Sequence, residues 1–341
     1  MPNWDSILRE ISTIQATQNE SAFDKVRAKY LRKLQRHTGR NVIAYYSGFL
    51  SKPRIDGAEV NDEDKNGFML CIHEMDRDKG LDLILHTPGG DGQATVSLVE
   101  YLRSMFGRNI RAIVPQLAMS AGTMIACSCN EIIMGKQSSL GPVDPQFGFV
   151  AAANLLEEVK RAKEEITANP AVAMFWSPIL SKITPSFLER CERAVADSNE
   201  FITATLAENM LADIPEPEKS AKVAKIGTLL ANNEGRAHNT HIQLQQCLEA
   251  GLNVSRLEDD QPLQDIILTL HHCYMHTLGN TAAFKIIENH LARRMVKIQQ
   301  MQMMPMPAAM AGLAGQMPMF QPMPPAPPPA TTQPGNPLPE G

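Results

Sequence analysis

The sequence predicts an α/β fold built around parallel strands, and three observations carry that expectation. Short apolar runs recur along the first half: NVIAYYSGFL from Asn41, LDLILHT from Leu81, IRAIVP from Ile110 and EIIMG from Glu131. Between them lie stretches of helical periodicity of about 10 to 15 residues, the spacing of right-handed βαβ units. Glycine turns punctuate the runs, with Pro88-Gly89-Gly90 standing directly after the second.

Residues 1–37 place Ile7, Ile11, Ile14, Val26, Tyr30, Leu31 and Leu34 at helical spacing. That pattern predicts one or two amphipathic helices, an N-terminal addition over 1–40 that packs on the main domain or on another subunit. From Asn41 a strand follows, then KNGFMLCIHEMDR as a helix covering it, then the strand LDLILHT. Helix 92–106 carries Val96, Val99, Leu102 and Met105 on one side, and Asp91 is available as its N-cap. The strand IRAIVP leads to the small-residue segment AMSAGTMIACSC and the strand EIIMG. Beyond LGPVDPQFG the periodicity is helical over 151–167, 172–182, 185–213, 217–231, 241–250 and 262–297. These limits give a core at 41–213 and a helical C-terminal extension at 214–298. The remainder, 299–341, is rich in proline and methionine and nearly devoid of charge, a composition that predicts disorder. Its prolines offer a docking ligand for a partner; a solvated tail is the simpler reading.

The 341 residues carry a formal charge of −5, which gives no general attraction for nucleic acid. No apolar run reaches the roughly 18 to 20 residues of a membrane span. The opening MPNWDSILRE lacks the apolar centre of a signal peptide, so the expected setting is cytoplasmic and reducing. Cys127 and Cys129 form C-x-C with no second pair at zinc spacing. His272 and His276 share a helical face beside His271, but the glutamate of H-E-x-x-H is missing and no third ligand is evident. No metal is therefore expected there, and a packed helix is. No dinucleotide fingerprint, pyridoxal-phosphate lysine motif or P-loop is visible, so no cofactor is expected and any ATP-driven step needs another protein.

The chemistry concentrates where two parallel strands end. In open parallel sheets ligands gather at the carboxyl ends of the strands. Pro88-Gly89-Gly90 follows one strand, and Ser120 opens a helix after the next, among small neighbours. A serine there sits at the positive end of a helix dipole, beside backbone N–H groups without helical partners. The N–H of Ala121 and a glycine N–H from the Pro-Gly-Gly turn can face one point, which is the arrangement of an oxyanion hole next to a nucleophile.

The order strand, PGG, helix, strand, SAG, helix, strand, LGPVDP is far more specific than either short motif. The run LILHTPGGDGQATVSLVEYL…AIVPQLAMSAGTMIACSCNEIIMGKQSSLGPVDPQ resembles the serine dehydrogenase proteinase family, relatives of signal peptide peptidase A within the Clp protease–crotonase superfamily. The similarity is dense over about residues 80–147 and continues loosely through 238–254. It implies an α/β Clp/crotonase-like spiral of ββα units, a homo-oligomer and peptides or unfolded protein as substrate. It also makes Ser120 the nucleophile, with Gly89, Gly90 and Ala121 forming the oxyanion hole.

Relatives of signal peptide peptidase A pair the serine with a lysine, whereas Clp proteases use Ser–His–Asp. A lysine serves as base only when burial depresses its pKa. Lys182, in the apolar setting AMFWSPILSKITPSF, is the first candidate; Lys163 is second, since it and Lys160 lie in the charged run EEVKRAKEE. His86, at the strand end before the glycines, is the rival base, with a packed strand-end histidine as its simpler reading. Asp144 in GPVDPQ is a supporting residue or simply turn chemistry. His238 and His241 fall in the loosely similar segment, without an assigned role. Two other readings stay open: a crotonase-type acyl-CoA enzyme, which needs no serine at 120, and a non-catalytic oligomeric scaffold.

Overall fold

The computed structural model describes residues 4–17, 21–148, 150–231 and 240–299. Along the chain it contains α1 (Trp4–Thr17), α2 (Ala22–Thr38), β1 (Asn41–Ser47), α3 (Asp64–Ile72), β2 (Leu81–His86), α4 (Gly92–Phe106), β3 (Ile110–Val114), β4 (Leu117–Ala118), α5 (Ala121–Cys127), β5 (Glu131–Met134) and β6 (Ser139–Leu140). A short hairpin, β7 (Gln146–Phe147) with β8 (Val150–Ala151), precedes α6 (Ala152–Ala168), α7 (Ala173–Leu180) and α8 (Pro185–Thr205), which ends in a π turn. Then come α9 (Glu218–Leu230), β9 (Ile242–Gln243), α10 (Leu244–Ala250), β10 (Val254–Arg256), α11 (Gln261–Asn280), β11 (Ala283–Asn289) and β12 (Arg294–Ile298).

The central sheet has seven strands in the order β10-β5-β3-β2-β1-β11-β12. Its first five are mutually parallel, and β11 and β12 are antiparallel additions beside β1. A second, three-stranded sheet in the order β4-β6-β9 joins two short strands that follow the carboxyl ends of β3 and β5 to β9, which follows α9. The alternation of long strand, short strand and helix in β3-β4-α5 is the ββα unit the resemblance implied.

The expected elements from 41 to 135 form, and helix 92–106 has the anticipated limits, capped by the Asp91 carboxylate accepting from Ala94 N–H at 2.8 Å. The long C-terminal helix is a correction. It stops at Asn280, and 283–298 turns into two strands instead of continuing to 297. The reason is two-sided burial: Ile286 packs with α2 and α11 on one face while Ile287 joins the core on the other. A period of two fills both layers; helical spacing does not. The C-terminal segment is thus part of the central sheet.

One face of the sheet is covered by α3, α4 and α5, with α9 and α10 beyond, and the other by α2 and α11. The N-terminal helices pack on this same chain, where Ile7, Ile11, Ala22 and Val26 surround Cys273 of α11. Two buried ion pairs tie the added strands to the rest. Arg27 Nε meets Glu288 at 2.6 Å, with Tyr274 Oη donating to the same carboxylate at 2.7 Å. Lys285 Nζ meets both oxygens of Asp64 at 2.8 and 2.9 Å, each side chain fully buried.

Candidate active site

Ser120 stands at the start of α5 with φ 49° and ψ −111°, a conformation a non-glycine residue rarely adopts. Two constraints impose it. Met119 N–H bonds Thr87 O at 3.1 Å on one side, and Gly122 N–H returns to Met119 O at 2.7 Å on the other. The sharp strand-to-helix turn leaves Ser120 half-buried, and among the described residues its hydroxyl has no hydrogen-bond partner. The turn has the form of a strained strand-to-helix elbow.

Gly89 and Gly90 explain themselves sterically. Gly89 has φ +104°, and a Cβ on it would lie 2.7 Å from Ser120 Cβ and 3.2 Å from Ala121 N. Gly90 has φ +156°, and its Cβ would strike Val60 N and O at 2.3 Å. Glycine alone fits both. Val60 N–H donates to Gly89 O at 2.7 Å, and Asp91 N–H donates to Val60 O at 2.9 Å. Those bonds consume the outer edge of the segment, so the Gly90 N–H faces the other way. Among the described residues neither Gly90 N–H nor Ala121 N–H has a protein acceptor, whereas Gly89 N–H is taken by Thr87 Oγ1 at 3.2 Å. Of the three expected oxyanion-hole residues, Gly90 and Ala121 have the unused donors, and Gly89 supplies the clearance.

A groove of about 370 Å³ runs beside Ser120. Gly90, Val96 and Met124 line one side, Val143, Asp144 and Phe147 another, and Arg190, Asp197 and Phe201 of α8 the third. Asp144 is buried and accepts from Gln146 Nε2 at 3.0 Å. Thr123 Oγ1 accepts from Gly141 N–H at 3.0 Å, which ties the GPVDP loop to α5.

The candidate bases lie elsewhere. Lys182 follows α7 and is exposed, as are its apolar neighbours Met174 and Phe175, so the desolvation expected for it is not found in this chain. Lys163 is exposed on α6 beside Lys160, and neither lines the Ser120 groove. His86 is fully buried and belongs to the opposite layer: Tyr46, Phe49 and His271 surround its ring at 5.4, 5.1 and 5.3 Å. Alternation along β2 is the reason, since Leu85 faces the α5 layer and His86 therefore faces α11. His241 is exposed, and His238 lies outside the described residues. His276 packs on Trp4 with ring centroids 3.8 Å apart, and His272 meets the same indole at 5.4 Å, so this cluster serves α1 docking. Among the described residues no cluster of three or more metal-ligating side chains occurs.

Both ring nitrogens of His86 lack a hydrogen bond among the described residues. Burial, and secondarily His271, holds its imidazole well below 6.5, and burial pushes His271 down to about 3. Unfolded histidines take up protons near 6.5 while these two resist, so the unfolded state binds more protons below that pH. Stability is accordingly expected to be full above pH 6.5 and to fall steadily as the pH drops toward 3. His86→Phe should flatten that fall in unfolding midpoints measured between pH 8 and pH 4 (values about the ordinary histidine range). An unchanged slope would remove His86 from the account.

With the elbow, the unused donors and the groove in place, comparison with known proteins decides the class. The family model for ClpP-like SDH-type serine proteinases matches residues 11–287. The chain belongs to that family. The match extends well beyond the motif-dense stretch and takes in β11, the strand missed from sequence. Two uncharacterized proteins of Methanocaldococcus jannaschii are similar to the chain. One is 30% identical over 213 residues, 62% of this chain and 64% of the relative. The other is 29% identical over 204 residues, 58% of this chain and 62% of the relative. The alignments thus span less than two thirds of those relatives' length. The family is described as one of ClpP-like serine proteinases. No helix among the described residues is long and apolar enough to cross a membrane.

Proposed function

We propose that the chain is a peptidase that forms an acyl-enzyme on Ser120, with the Gly90 and Ala121 N–H groups holding the developing oxyanion. The observation that carries this reading is the coincidence of three things at one point: a free serine hydroxyl on a strained turn, two unspent N–H donors and an open groove. Attack by Ser120 Oγ on a scissile carbonyl would move negative charge onto the carbonyl oxygen, where fixed donors stabilise it without reorganisation. Collapse would expel the amine and leave the ester, which water then cleaves. Asp144 supports the site as a buried acceptor beside the groove. Peptides and unfolded chains are the proposed substrates, since the groove is open.

The proton must go to a base, and Lys182 remains the proposed one. An exposed ammonium becomes a base only when another surface covers it. Met174 and Phe175, each 73% exposed, lie on the helix just before it, an apolar face that homo-oligomerisation would bury together with Lys182. A second copy is thus the proposed source of desolvation. Met174→Asp should then both weaken assembly and lower Ser120 reactivity.

Fluorophosphonate labelling tests the reading. Wild type at assembling concentration should be labelled, with the label mapped to Ser120 by peptide mass, and Lys182→Ala should lower the labelling rate by about 10²-fold or more. Retained labelling in that variant would exclude Lys182 and turn attention to Lys163. A folded wild-type protein that takes no label would support the scaffold reading instead.

A further inference from the structure

The α8 wall of the Ser120 groove carries an exposed arginine that forms no ion pair among the described residues. Arg190 lines the groove, and its guanidinium carbon stands 4.8 Å from the centroid of Phe147, on the β7–β8 hairpin. Phe147 is itself fixed edge-on against Phe187, with centroids 5.5 Å apart and the rings inclined by 72°. The row Phe187, Phe147, Arg190 therefore sets the guanidinium against an aromatic ring at the wall of the groove. Among the described residues Arg190 has no hydrogen bond and no carboxylate partner. Its neighbour Arg193, which also lines the groove, differs in being paired with Glu189. Asp144 accepts from Gln146, and Asp197 lies seven residues further along α8, about two turns or ~10 Å away.

A guanidinium pre-oriented on an aromatic face is a bidentate receptor for a carboxylate. Leaving it unpaired against substrate, rather than against the fold, keeps its five donors available. We propose that Arg190 reads a carboxylate on the bound peptide, so that this groove selects substrates with an acidic side chain or a free C-terminal carboxylate. The inference rests on the groove being the peptide site of the reaction proposed above. Arg190 is then a specificity residue, acting on substrate binding and not on the proton transfers at Ser120.

The test uses full-length Ser120→Ala protein, which binds without cleaving, and fluorescence anisotropy of three sets of labelled heptapeptides. One set is uncharged and C-terminally amidated, one is amidated with a single glutamate stepped through the positions, and one is uncharged with a free C-terminus. One of the charged sets should bind about tenfold or more tightly than the uncharged set, and which one does identifies the source of the carboxylate. Adding Arg190→Ala should abolish the preference, and Arg190→Lys should restore part of it, because an ammonium supplies charge without the bidentate fork. Arg161→Ala is the control, since that guanidinium also stacks on an aromatic ring, at 5.6 Å over Trp176, outside the groove. Equal affinity for all sets, or a preference that survives in Arg190→Ala, overturns the proposal. Fluorophosphonate labelling of Arg190→Ala on the wild-type background separates the two levels. A labelled enzyme without carboxylate preference refutes only the role of Arg190, whereas an unlabelled wild type refutes the catalytic reading.

Discussion

Ser120→Ala is expected to lower peptide hydrolysis by at least about 10⁴-fold, leaving only what an oxyanion hole and a binding groove contribute without a nucleophile. Folding should be little affected, because the hydroxyl makes no hydrogen bond among the described residues and the left-handed backbone is held by Met119 and Gly122. Alanine at φ 49° carries the same backbone cost as serine, so the unfolding midpoint should stay within a degree or two of wild type (roughly the scatter of neutral substitutions). Gly89→Ala is the companion. Its new methyl would lie 2.7 Å from Ser120 Cβ and 2.8 Å from Met119 O, so either the serine or the glycine turn must move. A displacement of that size misaligns nucleophile and donors and should cost about 10²- to 10³-fold in kcat, with a smaller change in KM. Measured with one chromogenic peptide, Ser120→Ala that retains full hydrolysis would move the nucleophile elsewhere. Gly89→Ala with wild-type kcat would show that the turn has room the geometry denies.

Much of this site was legible in the sequence, because it is built from backbone. Positive φ and close approach demand glycine at 89 and 90, and a strand-to-helix turn among small residues marks Ser120, so composition at a few positions encodes the geometry. Parallel strands buried on both faces read as apolar runs, which is why β1, β2, β3 and β5 were visible. What was not legible depends on partners distant in the chain. AFKIIEN follows the turn signal Gly279-Asn280, which the helical periodicity on either side overrides in the sequence, and its strand partners include β1, some 240 residues earlier. The facing of His86 depended on the phase of β2, a one-residue distinction that closeness to the glycines does not supply. Lys182 was read as buried because its neighbours are apolar, yet Met174 and Phe175 are themselves exposed. Arg190 was missed outright: an arginine on an amphipathic helix has no local mark, and Phe147 lies more than 40 residues away.

Lys285→Met is expected to destabilise the protein by about 3 to 5 kcal/mol, the cost of leaving one member of a buried ion pair alone. Lys285 and Asp64 are both fully inaccessible, and Tyr45 Oη donates to the same carboxylate at 2.8 Å. Burial pulls the lysine below its ordinary pKa, and Asp64 offsets part of that effect. Removing both charges together, in Lys285→Met with Asp64→Leu, should recover only part of the loss, because Tyr45 Oη and Asn61 N–H then lose their acceptor. The consequence should reach the active site. Lys285 Nζ also donates to Glu59 O at 2.7 Å, Asp64 accepts from Asn61 N–H at 3.1 Å, and between them Val60 holds Gly89 and Asp91 through its two backbone bonds. The pair thus anchors the strap that fixes the outer edge of the Gly89–Gly90 segment, which makes Lys285 a positioning residue under the proposed mechanism. In Lys285→Met, kcat should fall about tenfold at temperatures where the protein remains folded, while KM changes little, and the double variant should not regain it, since the lysine bond to Glu59 O is still absent. Equilibrium urea unfolding of the single and double variants reads the first effect, and peptide-hydrolysis kinetics measured 20 °C below each variant's thermal midpoint (a margin of about 5 kcal/mol or more for a chain this size) read the second. If kcat follows stability and returns in the double variant, the strap is held by the fold as a whole and not by Lys285.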